Sequence, residues 1–97
     1  MALEEQAAGV AALLRLIANK NRLLILCALE KAPCTVSELH ALVPDISQPA
    51  LSQHLALLKA ADVVDSVKCA QSVRYSISDE RIRKVMATLR TNYCPEG

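Results

Sequence analysis

The stretch from Ser47 to Ala61, SQPALSQHLALLKAA, constrains this chain more than any other. Ser47 is a good helix N-cap, and Pro49 falls in the first turn, where its missing N–H costs little. Leu51, Leu55 and Leu58 recur at helical spacing and define one apolar stripe. The other face carries Pro49, Ser52, Gln53, Ala56 and Ala60, all short or polar and uncharged. It lacks the Glu/Lys pairs that usually solubilise an exposed helix. Two readings fit: an ordinary Ser/Gln-rich surface helix, or a helix built for close approach to a hydrogen-bonding surface such as a DNA major groove.

The segments before it are helical. Residues 4–18 carry acids in their first turn, which suits the helix dipole. Ala7, Val10, Leu14 and Ile17 form a stripe that Ala11, Leu13 and Leu16 widen, too apolar for a simple surface helix. Asn19-Lys20-Asn21 interrupts the pattern and supplies caps. A second helix spans 21–31, and Ala32-Pro33 stops it. Thr35-Val36-Ser37-Glu38 fits a capping box, so a short third helix runs from Thr35 to about Leu42. Val43-Pro44-Asp45-Ile46 is a turn into the Ser47 helix. Short helix, turn, helix with a polar outer face is the outline of a helix-turn-helix.

After Ala61 the period changes to two. Residues 63–68 and 73–77 predict a hairpin around Cys69-Ala70-Gln71-Ser72, without an Asn-Gly turn signal. Lys68 and Arg74 stand near its tip, where a wing meets phosphates. Ser78 is the expected cap of a last helix, 79 to about 93, with Ile82, Val85, Met86, Leu89 and Tyr93 on one stripe. The order α-α-α-α-β-β-α describes a winged helix-turn-helix: mainly α with a small β-hairpin, in a single domain over residues 1–97.

Composition narrows the function classes. The 97 residues are 53% hydrophobic with only two aromatic residues, so the core is aliphatic. The first and last helices hold more apolar surface than one small core absorbs. A homodimer through these two helices is the economical solution, against the alternative that both are fully absorbed in one protomer. The net charge of +1 says nothing in favour of nucleic acid, so that case rests on where charges sit. No apolar run reaches the ~18 residues a membrane span needs, and no signal peptide is visible. Four Cys without C-x-x-C spacing suit reduced thiols in a cytoplasmic protein. No catalytic constellation or Gly-rich phosphate loop is present, so an enzyme is not expected.

The run Ser47 to Lys59, with Val63–Ser66, Val73–Ile77 and Asn21–Leu29, resembles the ArsR/SmtB-type winged-helix repressors over about residues 10–94. The resemblance implies a homodimeric repressor that releases operator DNA when a metal ion or an oxidant acts on Cys, His or Asp. Carried onto this chain, Ser52 and Gln53 read bases, while Lys68 and Arg74 meet phosphates. Ser47, Gln48, His54 and Lys59 complete the DNA-facing candidates.

The sensor sites depart from the metal-responsive members. Where those carry C-x-C-[DE]-L, this chain has Thr35-Val36-Ser37-Glu38-Leu39, and residues 79–94 contain no His. His40 and His54 read as structural or DNA-facing rather than as ligands, and no metal or cofactor is expected. Taken alone, Cys27 reads as a small buried hydrophobe and Cys94 as part of an inert terminus. The resemblance implies more. A Cys in Ile25-Leu26-Cys27-Ala28-Leu29 and another in Tyr93-Cys94-Pro95 is similar to the HlyU/BigR-like subgroup, implying a dithiol switch for reactive sulfur or oxidants. Cys34 and Cys69 match neither position, though a third thiol joining Cys27 or Cys94 would suit arsenite. The remaining alternatives are an arsenite-responsive repressor and a winged-helix protein-interaction module that does not bind DNA.

Overall fold

The computed structural model describes residues 2–93. The elements run α1 (Leu3–Ile17), α2 (Lys20–Lys31), β1 (Cys34–Thr35), α3 (Val36–Leu42), α4 (Gln48–Ala60), β2 (Val64–Cys69), β3 (Ser72–Ile77) and α5 (Glu80–Tyr93). The strands form one antiparallel sheet in the order β1-β3-β2. The expected mainly helical fold with a β-hairpin is present, with boundaries within a residue of expectation. The two-residue strand β1 is an addition: Cys34 pairs with Tyr75 and Thr35 with Arg74, widening the hairpin to three strands.

Local chemistry sets the helix starts. Asn19 caps α2, its Oδ1 accepting from the N–H groups of Asn21 and Arg22 at 3.0 and 3.1 Å. Thr35 and Glu38 complete the capping box in both directions: Glu38 N–H donates to Thr35 Oγ1, and Thr35 N–H donates to Glu38 Oε1. Ser47 Oγ accepts from Ala50 N–H at 3.2 Å and opens α4. Ser78 does not cap α5. Asp79 does, accepting from the N–H of Arg81 at 2.8 Å and of Ile82 at 3.4 Å. Both residue types make good caps, but the carboxylate adds a charge favoured at a helix N-terminus. Ser78 Oγ instead donates to the Asp62 carbonyl.

The core is aliphatic and gathers all elements except most of α1. Ile25, Leu26 and Leu29 of α2, Leu39 of α3, Leu51, Leu55 and Leu58 of α4, and Ile82 and Met86 of α5 are buried together. Val63, Val64 and Ile77 close it from the hairpin. In α1 only Ile17 is buried, with Leu13 and Leu16 packed against the core. Val10 and Leu14 remain half exposed, so most of the helix lies outside the core. In α5 the predicted stripe divides. Ile82 and Met86 face inward, while Val85 and Tyr93 face out.

Candidate nucleic-acid interface

Three leucines hold α4 in place: Leu51, Leu55 and Leu58 are each fully buried. Burial of each contributes roughly 1.5–3 kcal/mol, so the helix cannot roll without losing core contact. The opposite side presents Ser47, Gln48, Pro49, Ser52, Gln53, Ala56 and Ala60 to solvent. No charged group interrupts this surface between Ser47 and Gln53. The turn before α4 is fixed by a residue not singled out from the sequence for this role: His40 Nε2 lies 2.9 Å from the Ile46 carbonyl. That bond ties α3 to the segment entering α4.

The remaining candidate residues lie around this helix in different settings. His54 is half-buried, and its Nδ1 accepts from Arg22 Nε at 3.4 Å. Arg22 is a second residue that sequence reasoning missed, because its partners lie on other helices. Lys59 is exposed at the far end of α4, and its Nζ donates to Ser66 Oγ on β2 at 2.7 Å. Lys68 is exposed on the wing, opposite Val73. Arg74 stands one rung further from the tip, opposite Val67. Its guanidinium reaches the Pro33 carbonyl at 3.4 Å and Glu38 at 3.8 Å. The Glu38 carboxyl is held below the usual carboxylate range, first by the Thr35 backbone N–H, with Arg74 adding to it.

The wing closes through the two-residue turn Ala70-Gln71, between the paired Cys69 and Ser72. Ala70 takes φ 56°, the left-handed region that favours glycine.

The thiols occupy separate places. Cys27 is half-buried on α2, packed against the core. It lines a cavity of about 570 Å³ between α2 and α5, with Leu23, Met86, Leu89, Arg90 and Tyr93. Cys94 lies outside the described residues. Cys34 and Cys69 sit on strands that flank β3 on opposite sides, three positions apart in register. Sheet spacings put their Cα atoms roughly 14 Å apart, too far to share one arsenite within a protomer. Burial pushes the Cys34 thiol up, Glu38 adds to the effect, and Arg74 opposes it. Among the described residues, no three His, Cys, Asp or Glu side chains gather as a metal site. No described helix is long and apolar enough to cross a membrane.

The helices α3 and α4 thus form a helix-turn-helix with the β2–β3 wing on its flank. The family described as bacterial regulatory protein, arsR family, matches residues 19–66, from the cap of α2 into β2. The HTH-type transcriptional regulator YgaV of Escherichia coli is 39% identical over 93 residues, 96% of this chain and 94% of that protein. This chain belongs to the ArsR family. Among solved structures, reduced HlyU from Vibrio cholerae superimposes with a TM-score of 0.88 at 38% identity, covering 95% of this chain and 96% of that one. The transcriptional repressor BigR from Xylella fastidiosa gives 0.85 at 28% identity, covering 95% and 93%. The ArsR fold is therefore a winged helix-turn-helix here, and the chain is a regulator of that family rather than an enzyme. Likeness to HlyU and BigR agrees with the subgroup that the motifs around Cys27 and Cys94 resemble.

Proposed function

We propose that this chain is a dimeric repressor that reads an inverted-repeat operator through α4, with its DNA affinity set by the thiols of Cys27 and Cys94. The observation that carries the DNA half is the uncharged, exposed face of α4, held rigid from behind by three fully buried leucines. Ser52 and Gln53 sit centrally on that face and read bases; Ser47, Gln48 and His54 flank them, with Lys59 at the far end. Lys68 and Arg74 meet phosphates from the wing. Arg74 leaves Glu38 to do so, at small cost, because exposed ion pairs contribute about 0–1 kcal/mol.

Apolar surface supports the dimer. Leu3, Val10 and Leu14 of α1 and Val85 and Tyr93 of α5 are exposed in the single chain. Pairing these helices across a two-fold axis buries them and sets two α4 helices about 34 Å apart, one DNA turn.

For the switch, reactive sulfur or an oxidant converts the two thiols into a disulfide or a sulfur-bridged link. The link ties α5, a dimer helix, to α2 behind the reading head. Only a difference in DNA affinity between the two forms makes this regulation. Cys27 lines the cavity that Tyr93 also lines, and Cys94 follows Tyr93 in the chain. This supports the pairing.

The DNA reading is tested with a site selected from random DNA by the protein itself. Gln53→Ala costs about 1–3 kcal/mol on that site and little on random DNA. Arg74→Ala weakens both and lowers the salt slope by about one per half-site. Equal loss on selected and random DNA for Gln53→Ala would show that α4 is not the reader.

A further inference from the structure

Arg22 is held at several atoms at once. Its backbone N–H donates to the cap Asn19 Oδ1 at the start of α2. Its Nη1 donates to the Leu16 carbonyl of α1, and its Nε to Nδ1 of His54 on α4. Both side-chain partners are uncharged, and among the described residues no carboxylate pairs with Arg22. The half-buried guanidinium therefore keeps its charge beside the His54 ring.

That bond makes the ring a defined donor. An imidazole whose Nδ1 accepts carries its proton on Nε2 while neutral. Among the described residues no half-buried side chain has a nitrogen that is both enclosed and unpartnered, and Nε2 of His54 has no partner there, so this N–H opens to solvent. The positive charge on the other side of the ring polarises it and strengthens the N–H as a donor. Helical spacing sets His54 on the flank of α4, between the buried leucine stripe and exposed Gln53. On a helix lying in a major groove, a flank faces the sugar–phosphate wall rather than the base edges. A phosphate oxygen accepts only, so a fixed N–H suits it and a fixed lone pair does not.

We propose that Arg22 is a positioning residue for DNA binding: by holding Nδ1 of His54, it directs the Nε2 N–H of that ring onto a backbone phosphate beside α4. This rests on the reading of α4 as the DNA-facing helix. The contact adds affinity without base preference, because every nucleotide carries the same phosphate. A neutral donor releases no counterion, so it leaves the salt slope unchanged, unlike a contact from Lys or Arg.

The experiment titrates the full chain against the selected site and against random duplex DNA, in mildly alkaline buffer where an ordinary imidazole is neutral. The variants are His54→Phe, Arg22→Met and the two combined. Nitrogen NMR of the free protein reads which ring nitrogen of His54 carries the proton, with His54→Phe identifying the signal. The wild-type proton is expected on Nε2, and Arg22→Met is expected to change the Nδ1 signal. His54→Phe is expected to weaken binding to both DNAs about tenfold at an unchanged salt slope, as for a lost hydrogen bond to a charged group. Arg22→Met is expected to weaken binding about fivefold in the wild-type chain and less than about twofold in the His54→Phe chain. Equal losses from Arg22→Met in both chains overturn the proposal, since Arg22 then acts as a direct phosphate contact or through general loosening. So does a His54→Phe protein that binds random DNA as the wild type does. A wild-type proton on Nδ1 overturns it without any variant, even where Arg22→Met fails to fold. A wild-type chain that binds neither DNA removes the reading of α4 itself, a result distinct from the others.

Discussion

Arg22 of α2 donates from Nε to Nδ1 of His54 on α4, and from Nη1 to the carbonyl of Leu16 in α1. One guanidinium thus joins α1, α2 and α4. While neutral, His54 is held with Nδ1 as acceptor, so its ring proton lies on Nε2. Arg22→Ala removes both bonds and is expected to cost about 1–2 kcal/mol by urea unfolding at fixed protein concentration. His54→Ala leaves the Leu16 bond intact and costs less. Equal losses in the two variants would give the Leu16 bond no weight.

Ala70 at the wing tip has φ 56°. A left-handed conformation costs a non-glycine residue roughly 1–2 kcal/mol, and glycine gives back about 0.4–1 kcal/mol through its freer unfolded chain. Ala70→Gly therefore stabilises the protein by up to about 1 kcal/mol, read as a higher urea midpoint with an unchanged slope. A lower midpoint would contradict the assignment of strain to this turn.

Asp79 is held below the usual carboxylate range, first by the Arg81 side chain and then by the N–H groups at the start of α5. A carboxylate lowered by folding stabilises the fold above its unfolded value, and that share is lost as pH falls through the lowered one. Stability of the wild type is thus expected to fall with acid below the normal carboxylate range. Asp79→Asn keeps a cap acceptor but does not titrate, so its acid limb is flatter. Parallel acid limbs would remove Asp79 from the account.

Cys34 and Cys69 differ in both access and chemistry. Cys69 is exposed on the wing, whereas Cys34 is half-buried with its thiol pushed up by burial and by Glu38. Iodoacetamide at neutral pH is expected to label Cys69 first, with Cys34 catching up only in alkali, since the thiolate is the reactive form. Glu38→Gln speeds Cys34 modestly. Faster labelling of Cys34 than of Cys69 at neutral pH would reverse this order.

Much of this was legible because it depends on near neighbours in sequence. The spacing of Leu51, Leu55 and Leu58 is a property of one helix, and all three prove fully buried. The capping box of Thr35 and Glu38 is complete within four residues. What escaped depends on distant partners. The strand Cys34–Thr35 is too short to carry a period and exists through its pairing with Tyr75 and Arg74. Arg74 extends toward Pro33 and Glu38, which sequence spacing cannot reveal. Ser78 and Asp79 are adjacent capable caps, and the choice between them is made by the hairpin, which engages Ser78 with Asp62. The outward turn of Val85 and Tyr93 likewise follows from how α5 lies on α2, not from its own stripe.

The central claim is that DNA affinity is governed by the paired chemistry of Cys27 and Cys94. The direct measurement is a titration of the selected operator with reduced protein and with protein treated by polysulfide or peroxide, beside Cys27→Ser and Cys94→Ser. The account predicts that treatment weakens wild-type binding by about 5–150-fold, the usual range of coupling between two sites. Both serine variants keep the reduced affinity throughout. A serine variant that releases DNA as fully as the wild type on treatment would contradict it.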